Sequence, residues 1–168
     1  SRIGDSVTVL CPGGWGSAEA ASIPGVSKVI SIEGACFDTY DCRVWSKAIS
    51  PLANGDLVVA AASPTGREIC ATIAATRSIP VLQDLTGLEE GIVATRPIFS
   101  GKAVEECSIA LPCAISLRAN AFEASQGEGM AEISTVNVDS DVSISVREAL
   151  AKANERLDVS EANIVISG

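Results

Sequence analysis

The sequence predicts an α/β fold: a three-layer, mostly parallel, doubly wound sheet with antiparallel strands added in its C-terminal half. Three observations carry this. Apolar runs and helical periods alternate as βαβαβαβ through the first half of the chain. The third run, Leu57-Val58-Val59-Ala60-Ala61, is apolar at every position, as a parallel strand covered on both faces should be. Hydrophobic residues make up 47% of the chain but aromatic residues only 4%, so the core must be built from Ala, Val, Ile and Leu, which let helices sit close on a sheet. With 168 residues the chain is expected to form one domain, 1–168, with a sizeable core.

The elements follow in order. Val7-Thr8-Val9-Leu10 reads as a strand that stops at Pro12-Gly13-Gly14. A short Ala-rich helix over 17–22 precedes the Pro24-Gly25 turn, and Lys28-Val29-Ile30-Ser31-Ile32 is the second strand. Residues 41–50 read as a helix with Val44, Ala48 and Ile49 on one face. After the third strand, Ser63 is placed to cap a helix whose first position is Pro64, where a missing N–H costs nothing. Ile69, Cys70 and Ile73 form its inward stripe, and Pro80 ends it by disfavouring helical geometry at Ile79. A strand begins at Val81-Leu82. From there the helical period disappears: 92–98 and 107–117 read as antiparallel additions to the sheet, and 132–138 as a further strand. Ser145-Val146-Arg147-Glu148 has the form of a capping box ahead of a helix with Val146, Leu150, Ala153 and Leu157 on one face. Ile164-Val165-Ile166 reads as a last strand.

Composition excludes several functions. The formal net charge of −9, with no basic cluster against it, disfavours nucleic acid as a partner. No apolar run approaches the roughly 20 residues of a membrane helix. The start, Ser1-Arg2-Ile3-Gly4-Asp5, has no signal-peptide pattern. The six cysteines form no C-x-x-C pair and there is no histidine, so no metal site is expected. They read as buried, reduced thiols, which points to a reducing compartment, the cytoplasm. Cys107 and Cys113 flank a turn at Leu111-Pro112, where facing positions across a hairpin would permit a disulfide without requiring one.

No catalytic residue is assigned. Without histidine there is neither a Ser-His-Asp nor a Cys-His arrangement. No P-loop is present, and no G-x-G-x-x-G follows a strand; Pro12-Gly13-Gly14-Trp15-Gly16 is a Gly-rich loop. Glu89-Glu90 and Glu105-Glu106 are sequence neighbours of the kind that face solvent. The strongest local signal is Ser63-Pro64-Thr65-Gly66-Arg67 at a helix start, where free N–H groups and the dipole favour an anion. Thr65 would add a hydroxyl, Gly66 close backbone approach and Arg67 a bidentate fork. The plainer reading is that Ser63 only caps and Gly66 only packs. Arg96 and Arg118 stand out as interface candidates against ordinary ion pairing.

These motifs carry a family resemblance. Asp56-Leu57-Val58-Val59-Ala60-Ala61-Ala62-Ser63-Pro64-Thr65-Gly66-Arg67-Glu68, then Ala94-Thr95-Arg96-Pro97-Ile98-Phe99-Ser100-Gly101-Lys102-Ala103, then Leu117-Arg118-Ala119-Asn120-Ala121-Phe122, resemble in order and spacing the N-terminal domain of the electron transfer flavoprotein alpha subunit. The resemblance implies an adenine-nucleotide-hydrolase-like α/β fold and a scaffold role in a heterodimer with a beta subunit. That heterodimer holds FAD and carries electrons between dehydrogenases and an acceptor, with AMP a further ligand in the partner subunit. Residues 157–168 look like the family segment leading into the flavin domain, whose FAD-binding residues have no counterpart here. Val7 to Leu10 resembles the family's second strand and not its first. Arg96 and Arg118 match family positions, which implies a contact to the beta subunit or the flavin domain. An electron-carrier component, not an enzyme, is the expectation; the alternative is a stand-alone adenine-nucleotide-binding module holding phosphate at Ser63 to Arg67.

Overall fold

The computed structural model describes residues 4–124, 127–140, 144–147 and 164–166. The elements run β1 (Thr8–Pro12), α1 (Ser17–Ala21), β2 (Lys28–Glu33), α2 (Cys42–Ile49), β3 (Leu57–Ala61), α3 (Pro64–Arg77), β4 (Val81–Leu85), β5 (Gly87–Glu89), β6 (Val93–Ile98), β7 (Ala103–Ser108), β8 (Cys113–Leu117) and β9 (Glu132–Asn137). They form three sheets of three strands. Two are wholly parallel, ordered β1-β2-β9 and β3-β8-β4; the third, β5-β6-β7, is antiparallel.

The period-2 alternation of the strands sorts side chains between layers. In β1 and β2, Leu10, Ile30 and Ile32 join the core under α2, whereas Val9, Cys11 and Val29 pack with Ala20 and Ala21 of α1. Helices therefore cover both faces of this sheet, as a doubly wound fold requires. In the second parallel sheet Val58, Ala60 and Ala114 meet Cys70 and Ala74 of α3. These are small side chains, and they let the helix lie close to the strands. Leu57, Cys113, Ile115 and Leu117 point the other way, into a core shared with Ile92 and Ala94 of the antiparallel layer.

Two expectations are corrected here. The antiparallel strands do not extend the parallel sheet; they form a separate layer over its second face. Nor do the two sides of the Leu111-Pro112 turn face each other as a hairpin. β7 pairs with β6, while β8 inserts in parallel between β3 and β4. The reason lies in their faces: β7 alternates half-buried with exposed, whereas Cys113, Ala114, Ile115 and Ser116 are all fully buried and demand a central position. Cys107 and Cys113 thus belong to different sheets, and all six cysteines are free thiols. Burial pushes the Cys70 thiol up to about 11, so it stays protonated at neutral pH.

The aromatic residues also do more than their number suggests. Phe37 and Tyr40 each meet Trp45 edge-on, at ring separations of 5.2 and 5.1 Å, and Trp15 lies 6.0 Å from it. Trp45 Nε1 donates to the Cys36 carbonyl at 3.1 Å, so its one polar atom is satisfied inside the core. The predicted face of α2 was right in Val44, Ala48 and Ile49 but omitted this tryptophan. Most of the helix expected after Ser145 lies outside the described residues; 144–147 are exposed and outside any helix. Ile164, Val165 and Ile166 are exposed and outside any strand, having no ladder partner among the described residues. Among the described residues no helix is long and apolar enough to cross a membrane.

Replacing Ile115, fully buried at the centre of β8, with Ala should cost about 2–5 kcal/mol in urea unfolding. Val104→Ala, at a site 70% exposed on β7, should change stability by no more than about 0.5 kcal/mol. Equal losses at the two sites would contradict the layer assignment.

Candidate functional site

The strand β3 ends in a turn that starts α3. Ser63 is extended, and its Oγ accepts the Gly66 N–H at 3.1 Å, while the Arg67 N–H donates to the Ser63 carbonyl at 2.9 Å. Pro64 has no N–H to offer. A Cβ on Gly66 would overlap the Ala61 carbonyl oxygen, so glycine is required for the close approach of helix to strand. The backbone of this turn is engaged in capping and packing, and it does not form a multi-donor cradle for a phosphate.

The side chain of Arg67 leads to a different centre. Its Nη2 lies 3.0 Å from Asp84 Oδ1. Arg118 grips the same carboxylate with two atoms, Nε to Oδ1 at 3.0 Å and Nη2 to Oδ2 at 2.6 Å. Three residues from three elements therefore converge: Arg67 on the first turn of α3, Asp84 on β4 and Arg118 just beyond β8. Parallel strands bring these ends to one side of the sheet, the crevice where α/β proteins carry their sites.

The backbone holds the centre in place. Asp84 has a positive φ of 68° within an irregular stretch of β4, between Leu82 and Leu85, where the register to β8 shifts. Its N–H donates to Oγ of the fully buried Ser116 at 3.0 Å. The Arg118 N–H donates to the Leu85 carbonyl at 2.9 Å, and Gln83 Nε2 donates to the Arg67 carbonyl at 3.0 Å. The Arg118 hydrogen bond, aided by both guanidinium charges, holds the Asp84 carboxyl below the usual carboxylate range. The Asp84 side chain is 23% exposed, against 43% for Arg67 and 45% for Arg118. One carboxylate thus sits beneath two outward guanidinium groups, leaving one net positive charge in a chain of net charge −9.

The sequence-predicted residues are divided by this geometry. Arg67 and Arg118 come together; Ser63, Thr65 and Gly66 build the adjoining turn. Arg96 lies apart on β6, directly opposite Glu105 of β7, and its Nε donates to Glu105 Oε2. That bond draws the Glu105 carboxyl below its ordinary range. Sequence reasoning missed Asp84. Its signal was an acid inside the otherwise strand-like Val81-Leu82-Gln83-Asp84-Leu85, where a charge needs a partner. Among the described residues no group of His, Cys, Asp and Glu side chains could hold a metal ion.

Asp84 has a lower pKa folded than unfolded, so its stabilisation is complete above the ordinary value of 3.8 and is lost as pH falls through the folded value. The difference in urea midpoint between the wild type and Asp84→Asn should be constant above about pH 5 and shrink below pH 4. A difference unchanged down to pH 2 would contradict the ion-paired assignment.

The electron transfer flavoprotein domain is the family whose sequence pattern matches residues 1–141. The chain is 29% identical over 174 aligned residues to the electron transfer flavoprotein subunit alpha of Paracoccus denitrificans, covering 99% of this chain and 56% of that protein. It is 26% identical to the Bacillus subtilis subunit alpha, covering 86% of this chain and 47% of that one. It is 28% identical to the Mycobacterium leprae subunit alpha, covering 86% and 48%. The chain spans about half the length of the curated relatives it matches. With its match running through both parallel sheets and the Arg67–Asp84–Arg118 centre, this chain belongs to the electron transfer flavoprotein domain family.

Proposed function

We propose that the chain is the scaffold and partner-binding part of an electron transfer flavoprotein alpha subunit, within a heterodimeric FAD carrier that moves electrons between dehydrogenases and an acceptor. The observation that carries this is its similarity, over 86–99% of its length, to three proteins each named as that subunit. In this reading the beta subunit is the direct partner, and AMP belongs to that partner. The chain itself makes and breaks no bonds. Its Arg96 and Arg118 contribute to the contact with the beta subunit or the flavin domain.

The α3 turn does not fit the pyrophosphate of FAD. A dinucleotide pyrophosphate calls for several converging backbone donors, and the α3 turn has spent its own on Ser63. No step of flavin chemistry is therefore assigned to this chain, and its contribution is to position and bind. The same geometry disfavours the stand-alone nucleotide module.

Mixing the full alpha polypeptide with its beta subunit should give a one-to-one complex by analytical ultracentrifugation. Replacing both Arg96 and Arg118 with Ala should weaken it by about tenfold or more. An unchanged affinity would remove both arginines from the interface, and failure of the wild type to associate would overturn the heterodimer reading.

A further inference from the structure

We infer that Arg67 and Arg118, braced from below by Asp84, form a preorganised cationic fork that receives a carboxylate side chain of the beta-type partner. The inference rests on the heterodimer reading and names the chemistry at one point of that contact. Four features of the molecule support it.

The first is charge. Two guanidinium groups share one carboxylate, and the surplus positive charge stands on a strongly acidic chain. An acidic partner group is attracted here and repelled across most of the remaining surface. The second is an unmet donor. Nε of Arg67 is shielded from solvent and has no hydrogen-bond partner among the described residues. A shielded donor left unpaired is costly, and the side chain that carries it is still 43% exposed, open to a partner at its other N–H groups.

The third feature is rigidity. Asp84 is fixed by Ser116 through its N–H and by both arginines through its carboxylate, so the guanidinium planes are held before any partner arrives. Preorganisation of this kind lowers the entropy lost on docking. A left-handed backbone at a non-glycine residue, as at Asp84, is the sort of local strain that concentrates at binding sites. The fourth is an apolar neighbour. The chain turns just after Arg118, with the Ala121 N–H directed to the Arg118 carbonyl, and presents Phe122 at 42% exposure. A half-exposed aromatic ring close in sequence to a charged fork has the composition of an interface hot spot.

Binding and folding separate in the size of the loss at one variant. Asp84→Asn removes the negative charge that competes with the partner's carboxylate, yet takes away an internal ion pair. Calorimetric titration of the full alpha polypeptide with the beta subunit, at several salt concentrations, should read three results. Arg67→Ala should weaken the complex about tenfold and flatten its salt dependence. Arg67→Lys, which keeps the charge but not the fork, should fall between Arg67→Ala and the wild type, and it serves in its place if the alanine variant does not fold. Asp84→Asn, which loosens the brace but frees a positive charge, should weaken the complex clearly less than Arg67→Ala while lowering the urea midpoint. Unchanged affinity and salt dependence in both Arg67 variants would overturn the inference and leave the heterodimer standing. Weakening by Asp84→Asn as large as that by Arg67→Ala would also overturn it, because a purely structural cluster behaves that way. A wild type that does not associate would overturn both.

Discussion

Strand Cys113–Leu117 has almost no solvated surface, and the rest of the structure is arranged around that burial. Ala114 faces the helix layer through Cys70 and Ala74, while Cys113, Ile115 and Leu117 face the antiparallel layer. Each fully buried aliphatic side chain of this size contributes about 1.5–3 kcal/mol by leaving water. Neither layer supplies that burial alone. The strand must therefore lie between β3 and β4 with a layer on each face. Once it does, its last residue hands the chain on to Arg118 beside the irregular end of β4.

The same strand sets the electrostatics. Ser116 is buried with its neighbours, and its hydroxyl accepts the Asp84 N–H. That bond helps hold Asp84 at positive φ, which costs an aspartate about 1 kcal/mol and turns its carboxylate toward both arginines. The resulting ion pairs are partly exposed, so each adds little to folding stability. Their clearer consequence is geometric. Two long, flexible side chains are anchored to one carboxylate, Arg118 by a bidentate grip and Arg67 by a single contact. Arg96 illustrates the contrast: its single contact to Glu105 pairs neighbouring strands of one sheet and gathers no further charge.

Much of this was legible in the sequence where the local code is strong. Ser63 and Pro64 marked the start of α3, and the structure places the cap on the Gly66 N–H. The all-apolar run of β3 announced a parallel strand, but not its place: β3 lies at the edge of β3-β8-β4 with Val59 50% exposed, so it is not covered on both faces. The cysteines read as buried, reduced thiols; all six are free, and four of them, Cys11, Cys36, Cys70 and Cys113, are buried. What failed was long-range pairing. Residues 107–117 read as strand-like on both sides of a turn at Leu111-Pro112, because nothing local states that the chain before the turn belongs to a surface layer and the chain after it is buried on both sides. The centre was legible only in halves. Arg67 and Arg118 were singled out, but 50 positions lie between them, and the acid that joins them sits in a third element. Gly66 was weighed as a phosphate contact and as a packing residue; the Ala61 carbonyl beneath it supplies the physical basis for the second.

Hydrogen exchange of the protein, with and without the beta subunit proposed as its partner, tests the central claim most directly, since it reads the binding surface without altering any residue. The account predicts slowed exchange on complex formation at the α3 start around 63–67, the end of β4 around 83–86 and the turn at 118–122. Protection confined to other surfaces, with these three segments exchanging as fast as in the free chain, would contradict it.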